Sequence, residues 1–356
     1  MAARYGVDPA TIVRFDLNTS PTPPDLAARL LAAGRFDAPL SEYPPADYRR
    51  LTEAAAARYG VTTDEVLVGA GADEILDLAA KAFIPAGSKA VVPTPTYAMY
   101  RVLTEQRQGS VVAVARHGAD TGWAIDIAAT RAAARDAVVV WLCSPNNPTA
   151  LAEPPGAIAA LLAGIVADAT AASRPAPIVV LDEAYAEFVG TSLIDLRTAF
   201  PNLIVVRTAS KAYALAGLRV GFAIARPKVI ARLNPYRPPG SVSTVSVTLV
   251  AEALLDDSIL DANLARVVTE RARLTRALGR LGWSVGPSVT NFVLVDFGTP
   301  QRAAAVAEGF LRHGLVPRTF GAGHPLAHHL RLTVRDPDED DRLIAAATAL
   351  ARETPA

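Results

Sequence analysis

The segment Ile178-Val-Val-Leu-Asp-Glu-Ala-Tyr185 joins a continuous apolar run to acidic and phenolic side chains. An apolar run without alternation is typical of a strand that is buried on both faces of a parallel sheet. Two more segments have this form: Val138–Leu142 leads into Ser-Pro-Asn-Asn-Pro-Thr149, and Leu203–Val206 leads into Arg-Thr-Ala-Ser-Lys211. All three segments predict buried strands whose carboxyl ends carry polar groups.

Similar apolar runs alternate with Ala-rich helical stretches from about residue 60 to residue 225. The remaining runs are Val66–Val68, Ala90–Val92, Val111–Val114 and Val220–Ile224. Tyr48–Tyr59, which is stopped by Gly60, and Asp73–Phe83 are expected to be helices. This alternation predicts an α/β domain with a largely parallel sheet of about seven strands, flanked by helices.

The alternation of short apolar runs with helical stretches ends, and a different order of elements follows after residue 240. A long helical region, about 246–281, precedes strands at Phe292–Asp296 and Leu330–Val334, with a helix at about 300–313 between them. This order predicts a smaller α+β domain. We therefore expect an irregular, Pro-rich arm over residues 1–45 that contributes to the small domain and to a dimer, a large α/β domain over 46–245, and the small domain over 246–356.

Composition excludes several classes of partner. Lys+Arg and Asp+Glu both total 35 among 356 residues, and this balance argues against nucleic acid as the main partner. Cys143 is the single cysteine, so an internal disulfide is impossible, as is common in the cytoplasm. The N-terminus lacks a signal-peptide core, and the longest apolar stretch is shorter than the roughly 20 residues that a membrane span needs. A cytoplasmic protein without a membrane segment is expected.

Ligands of open α/β sheets bind beyond the carboxyl ends of the strands. The polar side chains that can converge there are those of Asn147, Asp182, Tyr185, Ser210, Lys211 and Arg219. Pyridoxal 5′-phosphate (PLP) needs a lysine for its Schiff base, a carboxylate for its pyridine nitrogen, and an arginine with hydroxyls for its phosphate. The set matches PLP group by group, so PLP is the predicted cofactor.

Motifs along the chain carry a resemblance to a known family. They are Gly69-Ala-Gly-Ala-Asp-Glu74, Pro95-Thr-Tyr-Ala-Met-Tyr100, Ser144-Pro-Asn-Asn-Pro-Thr149, Asp182-Glu-Ala-Tyr185 and Ser210-Lys-Ala-Tyr-Ala-Leu-Ala-Gly-Leu-Arg-Val-Gly221. Together, and in this order, they resemble fold-type I PLP aminotransferases of class I/II, most closely the histidinol-phosphate aminotransferase family. The resemblance runs from about residue 15 to residue 334.

The resemblance implies a role for each catalytic residue. Lys211 forms the aldimine and then shuttles the proton between Cα and the cofactor. Asp182 keeps the pyridine nitrogen protonated, and Tyr185 and Asn147 hydrogen-bond the ring oxygen.

The other cofactor contacts are implied in the same way. Tyr97 stacks on the ring, and Ser210 and Arg219 hold the phosphate. Backbone N–H groups near Ala72 and Asp73, where a helix begins, join them.

The resemblance also implies partners and substrates. Tyr43 would reach the phosphate from a neighbouring subunit, which makes the protein a homodimer with shared sites. Arg331 would grip the substrate α-carboxylate, Arg318 the substrate phosphate, and Asn18 would lie in the substrate pocket. The implied reaction transfers an amino group from an amino acid or amino-alcohol phosphate to 2-oxoglutarate, as in histidine biosynthesis.

Two departures from the family pattern concern the backbone and the substrate. Ala150 replaces the usual glycine, which is a mild change if the backbone φ at that position stays below zero. The segment Leu17-Asn-Thr-Ser-Pro21 lacks the aromatic residue of the family's substrate pocket, and this leaves the substrate open.

Three alternatives share part of the pattern. A threonine-phosphate decarboxylase of cobalamin biosynthesis would use the same cofactor residues. A PLP-binding regulator would carry a helix-turn-helix module ahead of the matching region, where only about 15 residues stand. An NAD-dependent oxidoreductase would need a third glycine at Glu74 and would leave Lys211 unexplained.

For a few other residues the sequence predicts a structural position or leaves the role open. Cys143 is expected in the core. His328 and His329 are expected to be exposed rather than ligating, because neighbours on a strand face opposite ways, and no other cluster has metal spacing. Arg237 can line the substrate pocket or bridge subunits.

Overall fold

The computed structural model describes residues 1–353. Its helices are α1 Ala2–Tyr5, α2 Leu26–Ala32, α3 Arg49–Tyr59, α4 Ala72–Phe83, α5 Met99–Gln106, α6 Ile127–Ala134, α7 Ala157–Ala171, α8 Leu196–Ala199, α9 Pro227–Leu233, α10 Thr244–Leu254, α11 Asp257–Arg280, α12 Pro300–Arg312 and α13 Pro337–Glu353. Its strands are β1 Val13–Arg14, β2 Val66–Gly69, β3 Lys89–Thr94, β4 Ser110–Ala115, β5 Val139–Cys143, β6 Ile178–Asp182, β7 Leu203–Thr208, β8 Gly221–Ala225, β9 Ser284–Val285, β10 Phe292–Asp296, β11 Leu315–Val316 and β12 His329–Thr333.

The chain forms two compact units. The larger unit comprises residues 24–147 and 152–260, and the smaller unit comprises residues 1–23, 148–151 and the chain from 261 onward. The sequence placed the divisions at 45/46 and 245/246, whereas the contacts place them at 23/24 and 260/261.

The larger unit is built on a seven-stranded sheet in the order β2-β8-β7-β6-β5-β3-β4. Neighbours from β7 to β4 pair in parallel, and only β8 is antiparallel to its neighbours β7 and β2. Every strand predicted between residues 60 and 225 belongs to this sheet. The predicted α/β fold with a largely parallel, seven-stranded sheet is confirmed.

Helices α3 and α4 show why the sequence produces the flanking layer. Helix α4 buries Ile75, Leu78 and Ala79, which recur at helical spacing on one face. Helix α3 ends at Gly60, which takes φ 64, a left-handed conformation that glycine adopts without steric cost.

The smaller unit combines an antiparallel sheet, β12-β10-β9, with the parallel pair β1-β11. Leu278 of α11, Val295 of β10, Phe310 of α12 and Leu343 of α13 share its core. This mixture confirms the predicted smaller α+β region. Strand β1 was not predicted, because its two residues depend on pairing with β11, about 300 positions later.

The helical region expected over 246–281 is interrupted. Helix α10 ends at Leu254 and α11 begins at Asp257. Between them, Asp256 Oδ1 accepts hydrogen bonds from the Ser258 backbone N–H (3.1 Å) and from its hydroxyl (2.5 Å). Such local side-chain bonds compete with helical ones, so one long helix becomes two.

Among the described residues, no helix has the length and apolarity to cross a bilayer.

Candidate active site

The carboxyl ends of β5, β6 and β7 lie side by side at one edge of the large sheet. Asn147 follows β5, Asp182 ends β6, and Lys211 follows β7. Because the three strands are parallel neighbours, residues 64 positions apart in sequence (211 − 147) arrive at the same edge.

Asp182 is the buried acid of this edge. Asp182 is only 5% exposed, and burial raises the pKa of its carboxyl to about 6. Hydrogen bonds from the Tyr100 hydroxyl to Oδ2 (2.8 Å) and from the Ala184 N–H to Oδ1 (3.0 Å) oppose that rise. The positive charge of Lys211 also lowers the pKa of Asp182, which shows that the amine and the acid are close enough to interact.

Tyr100 is the site residue that sequence reasoning missed. The motif Pro95–Tyr100 contains it, but the family resemblance implies no role for it. Its ring is fully buried, stacks on Trp141 at 5.5 Å with an interplanar angle of 7°, and meets the Tyr97 ring edge-on at 5.7 Å. Burial raises the pKa of Tyr100 well above its ordinary value, so the phenol stays a hydrogen-bond donor to Asp182. Its spacing of three from Tyr97, across the turn that leads into α5, was the signal that could have identified it.

Lys211 and Tyr185 approach each other at the same edge. The Lys211 Nζ atom lies 5.9 Å from the centroid of the Tyr185 ring. Thr208 shapes the loop that carries the lysine: its Oγ1 accepts from the Ser210 N–H (3.1 Å) and donates to the Val220 carbonyl (3.0 Å). The loop is therefore tied to Val220, the residue before β8, by side-chain as well as backbone bonds.

The N-terminus of α4 lies against Arg219. Asp73, in the first turn, accepts from the Tyr97 hydroxyl (2.9 Å) and lies 3.7 Å from the Arg219 guanidinium. A Cβ at Gly71 would stand 2.5 Å from that guanidinium, and one at Gly221 would stand 2.4 Å from the Gly71 carbonyl carbon. Gly221 is therefore required for the close approach of the two backbones, and Gly71 takes φ 86, a conformation that favours glycine. A helix N-terminus beside an arginine is an anion site.

The turn after β5 is held by Asn146. This residue accepts from the Thr96 hydroxyl (2.7 Å) and donates to the Pro95 carbonyl (3.0 Å). These bonds join the turn to the segment after β3, and Asn147 beside it is buried at 9% exposure.

Ala150 does not meet the condition of a negative φ. It takes φ 67 while fully buried, and its carbonyl accepts a hydrogen bond from the Val289 N–H (2.9 Å). An alanine in this left-handed region costs about 1–2 kcal/mol, and here the surrounding bonds impose it.

Tyr43 and Arg237 belong to the larger unit but not to the sheet edge. Tyr43 is 92% exposed. Arg237 donates to the Ala46 carbonyl (2.5 Å), and its guanidinium lies 5.0 Å from the Tyr48 ring centroid. Tyr43 therefore lies in the segment that precedes α3, and Arg237 contacts that segment.

The predicted substrate residues lie together in the smaller unit. Arg318 and Arg331 exchange two backbone hydrogen bonds of 3.0 Å. Arg331 is 7% exposed, donates to the Asp16 carbonyl (2.5 Å) and lies over the Phe292 ring. Asn18 is 1% exposed, and its side-chain oxygen accepts from the Thr333 hydroxyl (3.2 Å).

The histidine pair also departs from expectation. His329 is buried at 6% exposure, and its ring centroid lies 4.2 Å from that of His328, so the two rings share one side. His328 precedes the first residue of β12, where strand alternation does not yet apply.

Cys143 is buried, as expected, and burial raises its pKa to about 12.

The donor set of the sheet edge fits PLP. It supplies an amine, a buried carboxylate, a phenol and an amide, and the glycine-lined anion site stands beside them. On a mostly parallel seven-stranded sheet with a smaller α+β unit, this set is typical of a fold-type I, PLP-dependent enzyme.

The chain belongs to the aminotransferase class I and II family, whose profile matches residues 14–346. It resembles the histidinol-phosphate aminotransferase of Symbiobacterium thermophilum, with 36% identity over 343 residues that cover 95% of this chain and 90% of the relative. It is therefore an aminotransferase rather than a nicotinamide oxidoreductase.

Solved structures agree with this assignment. The histidinol-phosphate aminotransferase of Sinorhizobium meliloti, in complex with pyridoxal-5′-phosphate, matches with a TM-score of 0.86 and 27% identity, covering 99% of this chain and 93% of that one. The L-threonine-O-3-phosphate decarboxylase of Porphyromonas gingivalis matches with a TM-score of 0.77 over 96% of this chain and 100% of that one. Its 23% identity makes that likeness one of fold alone.

Proposed function

We propose that this enzyme transfers the amino group of histidinol phosphate to 2-oxoglutarate, a step of histidine biosynthesis. Support comes from the 36% identity to a histidinol-phosphate aminotransferase over nearly the whole chain. The observation that carries the substrate class is the pairing of Arg318 with Arg331.

Like charges directly opposite each other on paired strands destabilise the pairing. Arg318 and Arg331 occupy such opposite positions, and Arg331 is nearly buried. A phosphate or carboxylate bound between or beside the guanidinium groups removes this repulsion and gains bidentate hydrogen bonds. The pair therefore suits substrates with anionic ends, which both histidinol phosphate and 2-oxoglutarate have.

The sheet-edge residues would hold and serve the cofactor. Bound PLP supplies an electron sink for the bond that breaks at the substrate Cα. Asp182 would accept a hydrogen bond from the protonated pyridine nitrogen, and that positive charge would draw the pKa of Asp182 down from about 6. Lys211 Nζ would bind the cofactor covalently. When released, it would take the proton from the substrate Cα and deliver it to C4′ of the cofactor.

The remaining side chains would orient the cofactor. Asn147 and Tyr185 would donate to the ring oxygen, and Tyr97 would lie against the ring face, oriented by its hydrogen bond to Asp73. The phosphate would bind at the α4 N-terminus, with Ala72 and Asp73 N–H groups, Arg219 and the Ser210 hydroxyl as donors.

The proposal is tested by incubating the PLP-loaded enzyme with 2-oxoglutarate and one amino donor at a time, and by following glutamate formation. Histidinol phosphate should give the highest kcat/KM, above aromatic amino acids and threonine phosphate. Carbon dioxide released from threonine phosphate without glutamate would instead establish the decarboxylase. Arg331→Lys should lower kcat/KM by about tenfold to hundredfold, because a lysine cannot make the bidentate contact. Arg312→Lys, at an exposed position of the same unit, is the control.

We further propose a homodimer in which Tyr43 completes the partner's cofactor site. Tyr43 is 92% exposed and Leu40 beside it is 78% exposed, and an exposed apolar segment of this kind is typical of an interface. Mixing Tyr43→Phe with Lys211→Ala should restore activity to at least one site per heterodimer when each homodimer is impaired. Recovery no greater than the sum of the two homodimers would exclude shared sites.

A reducing compartment, the cytoplasm, is the location we infer for the enzyme. The single cysteine is buried beside Tyr100 and has no second cysteine with which to form a bridge. Fractionation of the source cells would test this.

A further inference from the structure

One cluster of metal-ligating side chains contains none of the predicted cofactor residues. It consists of Asp296, His328 and His329, in the smaller unit, and one ligand atom from each lies within 4.8 Å of the others. Asp296 is the last residue of β10, and His329 is the first residue of β12.

Strand pairing creates the cluster. Asp296 is the direct antiparallel partner of His329, so both side chains project to the same face of the sheet. The Phe297 N–H donates to the His328 carbonyl (2.9 Å) and continues the pairing by one residue. The Gly298 N–H donates to Asp296 Oδ1 (2.7 Å) and orients the carboxylate. The three groups are thus placed by backbone rather than by chance side-chain contact.

The distances are close to those of a metal site. His328 Nε2 lies 3.7 Å from Asp296 Oδ1, and His329 Nε2 lies 4.0 Å from Asp296 Oδ2. Ligand atoms at about 2.0–2.2 Å from a tetrahedral zinc ion are about 3.3–3.6 Å apart. Small rotations close the difference, and the Asp296 side chain, 41% exposed, has room to make them.

The kinds of ligand atom favour a transition metal. Two imidazoles and one carboxylate suit zinc, cobalt, nickel and copper better than calcium or magnesium, which prefer oxygen ligands.

We propose that Asp296, His328 and His329 form a binding site for a divalent transition metal, with water completing the coordination. The metal would clamp the end of β10 to the start of β12. It would act on the stability of the smaller unit and not on the transamination chemistry.

The test uses the PLP-loaded protein without a polyhistidine tag, titrated with Co²⁺ and then with Zn²⁺. The wild-type chain should bind one Co²⁺ with visible ligand-field absorption, Zn²⁺ should displace it, and either ion should raise the melting temperature. The cofactor absorption band should stay unchanged, since none of the three ligands is a predicted cofactor residue.

Two variants and one control make the outcome specific. His328→Ala and Asp296→Asn, both at partly exposed positions, should each weaken metal binding by about tenfold or more and abolish the thermal shift. His313→Ala, an exposed histidine of the same unit, should bind like the wild type. The proposal is overturned if the wild type binds no metal at millimolar Co²⁺, or if the two variants bind as tightly as the control.

Discussion

Replacing Tyr100 by phenylalanine isolates the hydrogen bond that Tyr100 makes to Asp182. The substitution keeps the ring that stacks on Trp141 and removes only the hydroxyl, which lies 2.8 Å from Asp182 Oδ2. A hydrogen bond to an ionised acceptor contributes about 1.5–3 kcal/mol, and one to a neutral acceptor about 0.5–1.5 kcal/mol. The loss should therefore be about 1–1.5 kcal/mol greater when Asp182 is ionised, which equals a rise of its pKa by about one.

The sign of the pH dependence follows from linkage. The pKa of Asp182 in the folded, cofactor-free protein is about 6, above its ordinary 3.8, so its contribution to stability is greatest below about pH 4 and is lost as the pH rises through 6. In Tyr100→Phe this loss continues to a higher pH. The variant should thus be destabilised by about 0.5–1.5 kcal/mol at about pH 5 and by about 1–1.5 kcal/mol more at about pH 8.

Urea unfolding of the cofactor-free protein at the two pH values, at one protein concentration, measures this difference. Tyr59→Phe is the matched control, because the Tyr59 hydroxyl is also buried but has no hydrogen-bond partner among residues 1–353. A destabilisation by Tyr100→Phe that is the same at both pH values would show that the hydroxyl serves packing alone and would refute the reasoning.

Other substitutions test separate parts of the structure. Lys211→Ala should abolish the borohydride-reducible PLP adduct, which Lys228→Ala, at an exposed lysine, should retain; an adduct surviving on another residue would be contrary to the assignment. Asp340 is fully buried, and burial raises its pKa to about 7, so the folded protein loses stability between about pH 4 and 7 as this carboxyl ionises. Asp340→Asn should therefore raise the melting temperature at pH 8 but not at pH 4. Equal effects at both pH values would contradict this. Ala150→Gly should stabilise by about 0.5–1 kcal/mol in thermal unfolding, since strain relief exceeds the added chain entropy, and a lower melting temperature would show that the methyl group packs well enough to outweigh the strain.

The interruption between α10 and α11 and the strand β1 show where local patterns were insufficient. Asp256 and Ser258 are compatible with a helix in composition, yet their mutual hydrogen bonds favour a break. Strand β1 has two residues and no pattern of its own, so only its partner β11 makes it a strand.

The sequence by itself determined the α/β fold and predicted that Asn147, Asp182 and Lys211 meet at one edge of the sheet. Strands buried on both faces need unbroken apolar runs, and parallel pairing sends all their carboxyl ends to one edge, so residues at those ends are identified without knowing any contact. Only the tertiary structure decided the Tyr100–Asp182 bond, across 82 positions, and the pairing of Asp296 with His329. Such contacts depend on register and on how helices pack on the sheet, and neither leaves a periodic trace along the chain.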